Sequence, residues 1–127
     1  MIMNKFMVLF GIFIVCILVS GCAALKTDPL TKDQILLQGV ASTLKIVDWG
    51  TTLDMVGKPG YYEANPIIGR HPNRRDINKY FACSFAAQIF ITHILPSSWR
   101  KYWLGSNILI SGYCVKNNYG IGLRANF

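Results

Sequence analysis

Acidic side chains are scarce in this chain: six Asp and Glu stand against thirteen Lys and Arg, and only 15% of residues are charged. Soluble domains usually carry about 25%, so the shortage points to a membrane environment. Signatures of chemistry are missing as well. H-E-x-x-H and C-x-x-C do not occur, which removes the common zinc arrangements. A nucleophile elbow, a phosphate-cradling glycine loop and a Cys/His dyad are also absent. The sequence therefore calls for no cofactor and no metal. Internal repeats, low-complexity runs and a second-domain boundary are lacking too, and 127 residues make one domain with one modest core.

What is present begins with a leader. Lys5 gives a positive start, and Phe6 to Val19 is an unbroken apolar run, short for a bilayer span and right for a signal peptide. Val19-Ser20-Gly21-Cys22 follows, and it resembles the lipobox of bacterial prolipoproteins. That resemblance covers residues 1–22. It implies cleavage of a signal peptide, 1–21, and acylation of Cys22 on its thiol and its new amino group, so that membrane lipid is a partner through Cys22. Two or more chains anchor a protein stably where one does not. Ala23, rather than Asp, implies sorting to the outer membrane in a diderm cell, and to the inner membrane where that sorting does not operate. The net charge of +7 falls to +6 once Lys5 is lost. It suits anionic head groups, while export argues against nucleic acid; Arg70, Arg74, Arg75 and Lys79 lack the aromatic interleaving of a nucleic-acid module.

The rest divides into a tether, 22–32, and a helical membrane-associated domain, 33–127. Thr31 or Asp33 offers a cap, and apolar residues recur from Gln34 to Val56 at nearly helical spacing. Lys45, Asp48 and Asp54 interrupt that run and would each cost about 2.5–3.5 kcal/mol at a bilayer centre. A helix packed on partners or lying at an interface fits better. Gly57-Lys58-Pro59-Gly60 ends it, and residues 61–75 read as an ordered, non-helical connection. A second helix runs from Asn73–Asp76 to Leu95, Pro96-Ser97-Ser98 breaks it, and a third runs from Trp99 to about Val115. Trp99, Tyr102 and Trp103 open the third as an interfacial aromatic group. The tail from Tyr119 to Phe127 alternates like a strand; without barrel partners it reads as an extended packed or edge segment. The expectation is an all-α protein: a small three-helix membrane-associated bundle with a short extended C-terminal tail.

Candidate chemistry concentrates between Asp48 and Pro72. Asp48, Thr51 and Thr52 share one helix face, and Glu63, Asn65 and His71 lie in the loop that leaves it. Two readings stay open. The polar set is a site for a hard cation or for Glu/His proton transfer; alternatively Asp48 accepts from threonines, Glu63 caps loop N–H groups and Asn65 holds the turn before Pro66. The pattern Asp48-x-x-x-Thr52 … Gly … Glu63-x-Asn65-Pro66 resembles one in small bacterial and phage membrane proteins, over residues 48 to about 100. No activity comes with that resemblance; it implies a compact helical membrane-associated protein. His93 reads as a helix-end histidine and Gln88 as a satisfied polar contact. Cys83 and Cys114 have their midpoint beside the turn at Pro96–Ser98, which puts them at about one level of an antiparallel hairpin, and in an oxidising compartment a disulfide is open to them. Function thus narrows to a lipid-anchored envelope protein of structural or interaction type, with no protein partner legible. The alternatives are a membrane-surface enzyme or small-ligand binder using Asp48, Glu63 and His71, and a phage-encoded envelope lipoprotein related to exclusion or lysis.

Overall fold

The computed structural model describes residues 28–127. The signal peptide, Cys22 and most of the tether lie outside the described residues. Three helices make up the fold, α1 (Lys32–Asp54), α2 (Arg74–Ile94) and α3 (Ser97–Gly120), and among the described residues there is no strand. None of the three is long and apolar enough to cross a membrane.

Local chemistry explains where each begins. Thr31 caps α1 in a reciprocal pair with Gln34: its hydroxyl accepts the Gln34 N–H at 3.3 Å, and the Gln34 amide oxygen accepts the Thr31 N–H at 3.2 Å. Asn73 caps α2 by accepting the Asp76 N–H at 3.0 Å. No side chain caps α3; its start is set by Pro96, which holds Leu95 extended and ends α2. At the far end of α1 the chain turns through Gly57, whose φ of 80° suits a residue without a Cβ.

Side-chain bonds fix the directions. Gln34 Nε2 donates to the Ser97 carbonyl at 3.0 Å, and Asn118 Nδ2 donates to Thr51 Oγ1 at 2.8 Å, so α1 and α3 run parallel. Thr92 Oγ1 donates to Gln38 Oε1 at 2.9 Å, and Lys45 Nζ to Ser84 Oγ at 2.9 Å, so α2 runs antiparallel to α1. Helix α1 is the central element, packed mainly on α3 and less on α2. Helices α2 and α3 meet near their junction, where the Trp103 indole donates to the Gln88 carbonyl at 3.4 Å. They have little contact elsewhere, and this leaves a cleft at the other end.

Helix α3 extends to Gly120, past the expected end near Val115. The alternation from Tyr119 onward is therefore part helix end and part folded-back chain. Leu123 is buried. The Arg124 N–H donates to Asp54 Oδ2 at 2.9 Å, and the Asn126 N–H to the Gly50 carbonyl at 3.1 Å. Phe127 packs edge-on to Trp49, with ring centroids 6.4 Å apart. Gly50 permits this approach, since a Cβ there would stand 2.9 Å from the Phe127 ring. The tail is packed on α1, not paired in a sheet.

The apolar core is small. Leu53, Ile77 and Phe81 form it, with Trp49 stacked on Phe81 at 5.9 Å. Burial of each such side chain is worth about 1.5–3 kcal/mol. Much of the remaining interior is polar: Gln34, Thr51, Gln88, Thr92 and Arg100 are each at least 98% buried. Outside, Leu36, Phe90, Trp99, Tyr102 and Leu109 are exposed. Polar residues are as numerous as apolar ones among those buried, an unusually polar interior.

Candidate functional site

Both ends of α1 carry a polar cluster. At its N-terminal end the buried Arg100 guanidinium is enclosed by oxygen acceptors. Nε donates to the Leu95 carbonyl at 2.9 Å, Nη2 to the His93 carbonyl at 3.2 Å, and Nη1 to the Asp28 carbonyl at 2.9 Å. Longer contacts reach the Pro29 carbonyl and Gln34 Oε1. The cation sits on the negative end of α2 and ties the incoming chain to all three helices. Arg100 gave no signal in the sequence, because four of its five acceptors are main-chain carbonyls.

The other end holds a cleft of about 240 Å³ between α1, α2, α3 and the 61–73 connection, and it gathers Asp48, Thr52, Glu63 and Asn65. The Asp48 carboxylate accepts from Asn118 Nδ2 at 3.3 Å, and that amide also donates to Thr51. Glu63 Oε1 accepts the Asn65 N–H at 2.7 Å, while Asn65 Oδ1 accepts the Ile67 N–H at 3.0 Å. The loop closes on itself through the Glu63 N–H, which donates to the Arg70 carbonyl at 3.0 Å. Glu63 and Asn65 thus shape the loop, as the structural reading of the motif has it, and they also line the cleft.

His71 does not join them. It follows the 63–70 closure and lies exposed in a separate hollow beside Met55, Tyr61, Arg70 and Pro72. The Glu63/His71 proton-transfer pair suggested by the sequence is therefore not assembled in one cavity. Lys45, noted in the sequence only as a charge within an apolar run, lines the cleft instead, with Ser84, Cys114 and Asn118. These four come from three helices, and no local spacing marks them.

Burial dominates the electrostatics. It pushes the Asp48 carboxyl up to about 7, with Glu63 adding to the rise and Lys45 opposing it. Burial also lowers the Lys45 ammonium, against the pull of Asp48. The Cys114 thiol is raised, again chiefly by burial and then by Asp48 and Glu63. Neither Asp48 nor Glu63 has an ion-pair partner within 4.0 Å among the described residues, and Asp48 Oδ2 and Glu63 Oε2 have no protein donor there. Among the described residues no three His, Cys, Asp or Glu side chains cluster as metal ligands.

The remaining candidates fall as follows. Cys83 and Cys114 are free thiols, so the disulfide open to them is not formed: Cys114 lines the cleft, whereas Cys83 is exposed on another hollow. His93 is in the last turn of α2, its Nδ1 2.9 Å from the Ile89 carbonyl. Gln88 departs from the expectation of a satisfied contact: it is 1% exposed, and its amide has no hydrogen-bond partner. Its main-chain carbonyl, not its side chain, receives Thr92 and Trp103. Arg70, Arg74, Arg75 and Lys79 are all exposed. Scans of protein-family models, curated proteins and solved structures found nothing that matches this chain.

Proposed function

We propose that the protein is a lipid-anchored cell-envelope protein of structural or interaction type, acylated at Cys22 after removal of residues 1–21. It is held at the membrane by the end of the bundle that contains Arg100. The observation that carries this reading is the tie from Arg100 to Asp28 and Pro29. It fixes the chain six residues after Cys22 beside Trp99 and Tyr102, which are 63% and 76% exposed. Leu36 and Phe90, at the same end of their helices, are exposed too. Aromatic rings of this kind favour the head-group boundary, and an anchor and exposed rings at the same end act together on one bilayer. Tyr62, Ile67 and Tyr113 at the other end are exposed as well, so it is the tether that sets the orientation. Ala23 favours the outer membrane of a diderm cell as the site. Metabolic labelling with a palmitate analogue tests the anchor: the wild type takes the label and Cys22→Ala loses it. Continued labelling of the variant would remove the anchor.

A second reading concerns the opposite end. The gathering of Asp48, Thr52, Glu63 and Asn65 in one cleft favours a small-ligand site over a catalytic one, because His71 lies outside it. Asp48 is 14 residues along α1 from Gln34, about 21 Å at the helical rise. In the proposed orientation the cleft therefore lies at the end away from the anchoring membrane.

A further inference from the structure

From the lining of the Asp48 cleft we infer that it is a binding site for a small, soluble organic ammonium compound. This rests on the cleft being a ligand site and goes further by naming the class of ligand. Charge sets the sign. Two carboxylates, Asp48 and Glu63, face one ammonium, Lys45, whose Nζ is bonded to Ser84 Oγ at 2.9 Å and to neither acid. With both acids ionised the lining carries one uncompensated negative charge, which a monocation matches.

Donor and acceptor balance sets the type of cation. Asp48 Oδ2 and Glu63 Oε2 are the acceptors left free of protein donors among the described residues. A primary ammonium presents three N–H donors to such acceptors. The walls select an organic cation over a bare ion. Tyr80 and Tyr113 line the cleft, along with Tyr62 and Phe81, which Arg70 and Trp49 already engage; aromatic rings attract ammonium groups and cover an alkyl portion. A hard divalent ion wants six or more oxygen ligands or a close carboxylate cage, and the described residues offer no cluster of that kind. Size sets the limit. About 240 Å³ is below the roughly 300–1,000 Å³ of sites for drug-sized ligands, so the compound is small.

Asp48 makes the affinity depend on pH. It is faced by Lys45 from α1, Tyr62 and Glu63 from the connection, Tyr80 from α2, and Tyr113 and Cys114 from α3. Its carboxyl titrates near 7, so it is mostly ionised at pH 8 and mostly neutral at pH 5.5. A cation binds the ionised form.

The experiment is a calorimetric titration of the full-length protein, in micelles of a neutral detergent, with ethanolammonium, n-butylammonium and 1,4-butanediammonium chlorides. Propanol and acetate serve as neutral and anionic probes, and vesicles of phosphatidylethanolamine or phosphatidylglycerol test a lipid source. At least one free ammonium probe is expected to bind one-to-one at pH 8. Its affinity should fall about tenfold or more at pH 5.5, and by a similar factor in Asp48→Asn and in Glu63→Gln. Lys101→Ala, on the far end, should bind as the wild type does, and circular dichroism checks that each variant is helical. Binding of propanol or acetate but of no ammonium would overturn the ligand class while keeping the site. Failure of every probe would overturn both. An effect of phosphatidylethanolamine vesicles alone would overturn the soluble source. Unchanged ammonium binding in both cleft variants would place the site elsewhere and overturn the inference.

Discussion

At one end of α1 a buried guanidinium meets five oxygen acceptors; at the other, two carboxylates share a cleft with a lysine that pairs with neither. At the Arg100 end all three guanidinium nitrogens donate, mainly to main-chain carbonyls, and they join Asp28, the end of α2 and the start of α3. A cation desolvated so completely is tolerable only because its donors are used. The Asp48 end leaves acceptors open, and burial holds the Asp48 carboxyl near 7. Buried polarity therefore serves two purposes here. At Arg100 it joins segments; beside the cleft, burial raises the Asp48 carboxyl at a cost in stability and, on the proposed reading, leaves acceptors for a ligand.

The largest way to break this comparison is Arg100→Met, which keeps much of the volume and removes every donor. The carbonyls of His93, Leu95 and Asp28 lose their partner, and each orphaned acceptor costs about 1–3 kcal/mol. A loss of about 3 kcal/mol or more is expected in chemical denaturation, together with faster proteolysis near Asp28. Asp48→Asn should act in the opposite direction. The folded carboxyl titrates near 7 and its unfolded counterpart near 3.8. Between those values the folded state holds a proton that the unfolded state has released, so stability falls as pH rises through that window. The penalty at pH 8, allowing for partial solvent access, is on the order of 2 kcal/mol. The variant should recover it and lose the pH dependence.

Gln88→Leu sharpens the same comparison from a third position. Its amide is buried without a partner, so an apolar residue of similar size should stabilise the fold by about 1 kcal/mol in thermal unfolding. Gly50→Ala tests the tail. The new Cβ would meet the Phe127 ring and, at 3.2 Å, the Ala125 backbone, at a cost of about 1–2 kcal/mol and with loss of Asn126 amide protection in hydrogen exchange. Acid adds a smaller opposing effect. Asp54 is held below the ordinary carboxylate range by the Lys58 ammonium first and the Arg124 N–H next. It stabilises above its unfolded value, and the stabilisation disappears as pH falls through its folded one. The stability profile should therefore rise from pH 8 towards 5 and turn down below about 4.

How far the sequence led depends on the range of the interaction. Thr31, Asn73, Pro96 and Gly57 act within a turn of themselves, and the helix boundaries they set were legible to within a few residues. Asp48, Thr52, Glu63 and Asn65 were legible as a polar group because they are close in the chain. The bonds that turn them into a cleft join Asp48 to Asn118 across 70 residues and Lys45 to Ser84 across 39, which no spacing encodes. His71 was grouped with Glu63 by proximity, but it lines a different hollow. The tail was legible as a packed segment but not where it starts: the alternation from Tyr119 begins in the helix end, and Gly122 lets the chain fold back and bury Leu123.

The two ends of α1 hold polar groups to different effect, and denaturation of the full-length protein in neutral micelles separates them. Wild type, Asp48→Asn and Arg100→Met are compared at pH 8 and pH 5.5. Asp48→Asn is expected above the wild type at both, by about half as much at pH 5.5 as at pH 8 because pH 5.5 lies midway through the window, with Arg100→Met below it at both. If Asp48→Asn instead loses as much stability as Arg100→Met at pH 8, Asp48 is a strut like Arg100, and the distinction between the two ends is wrong.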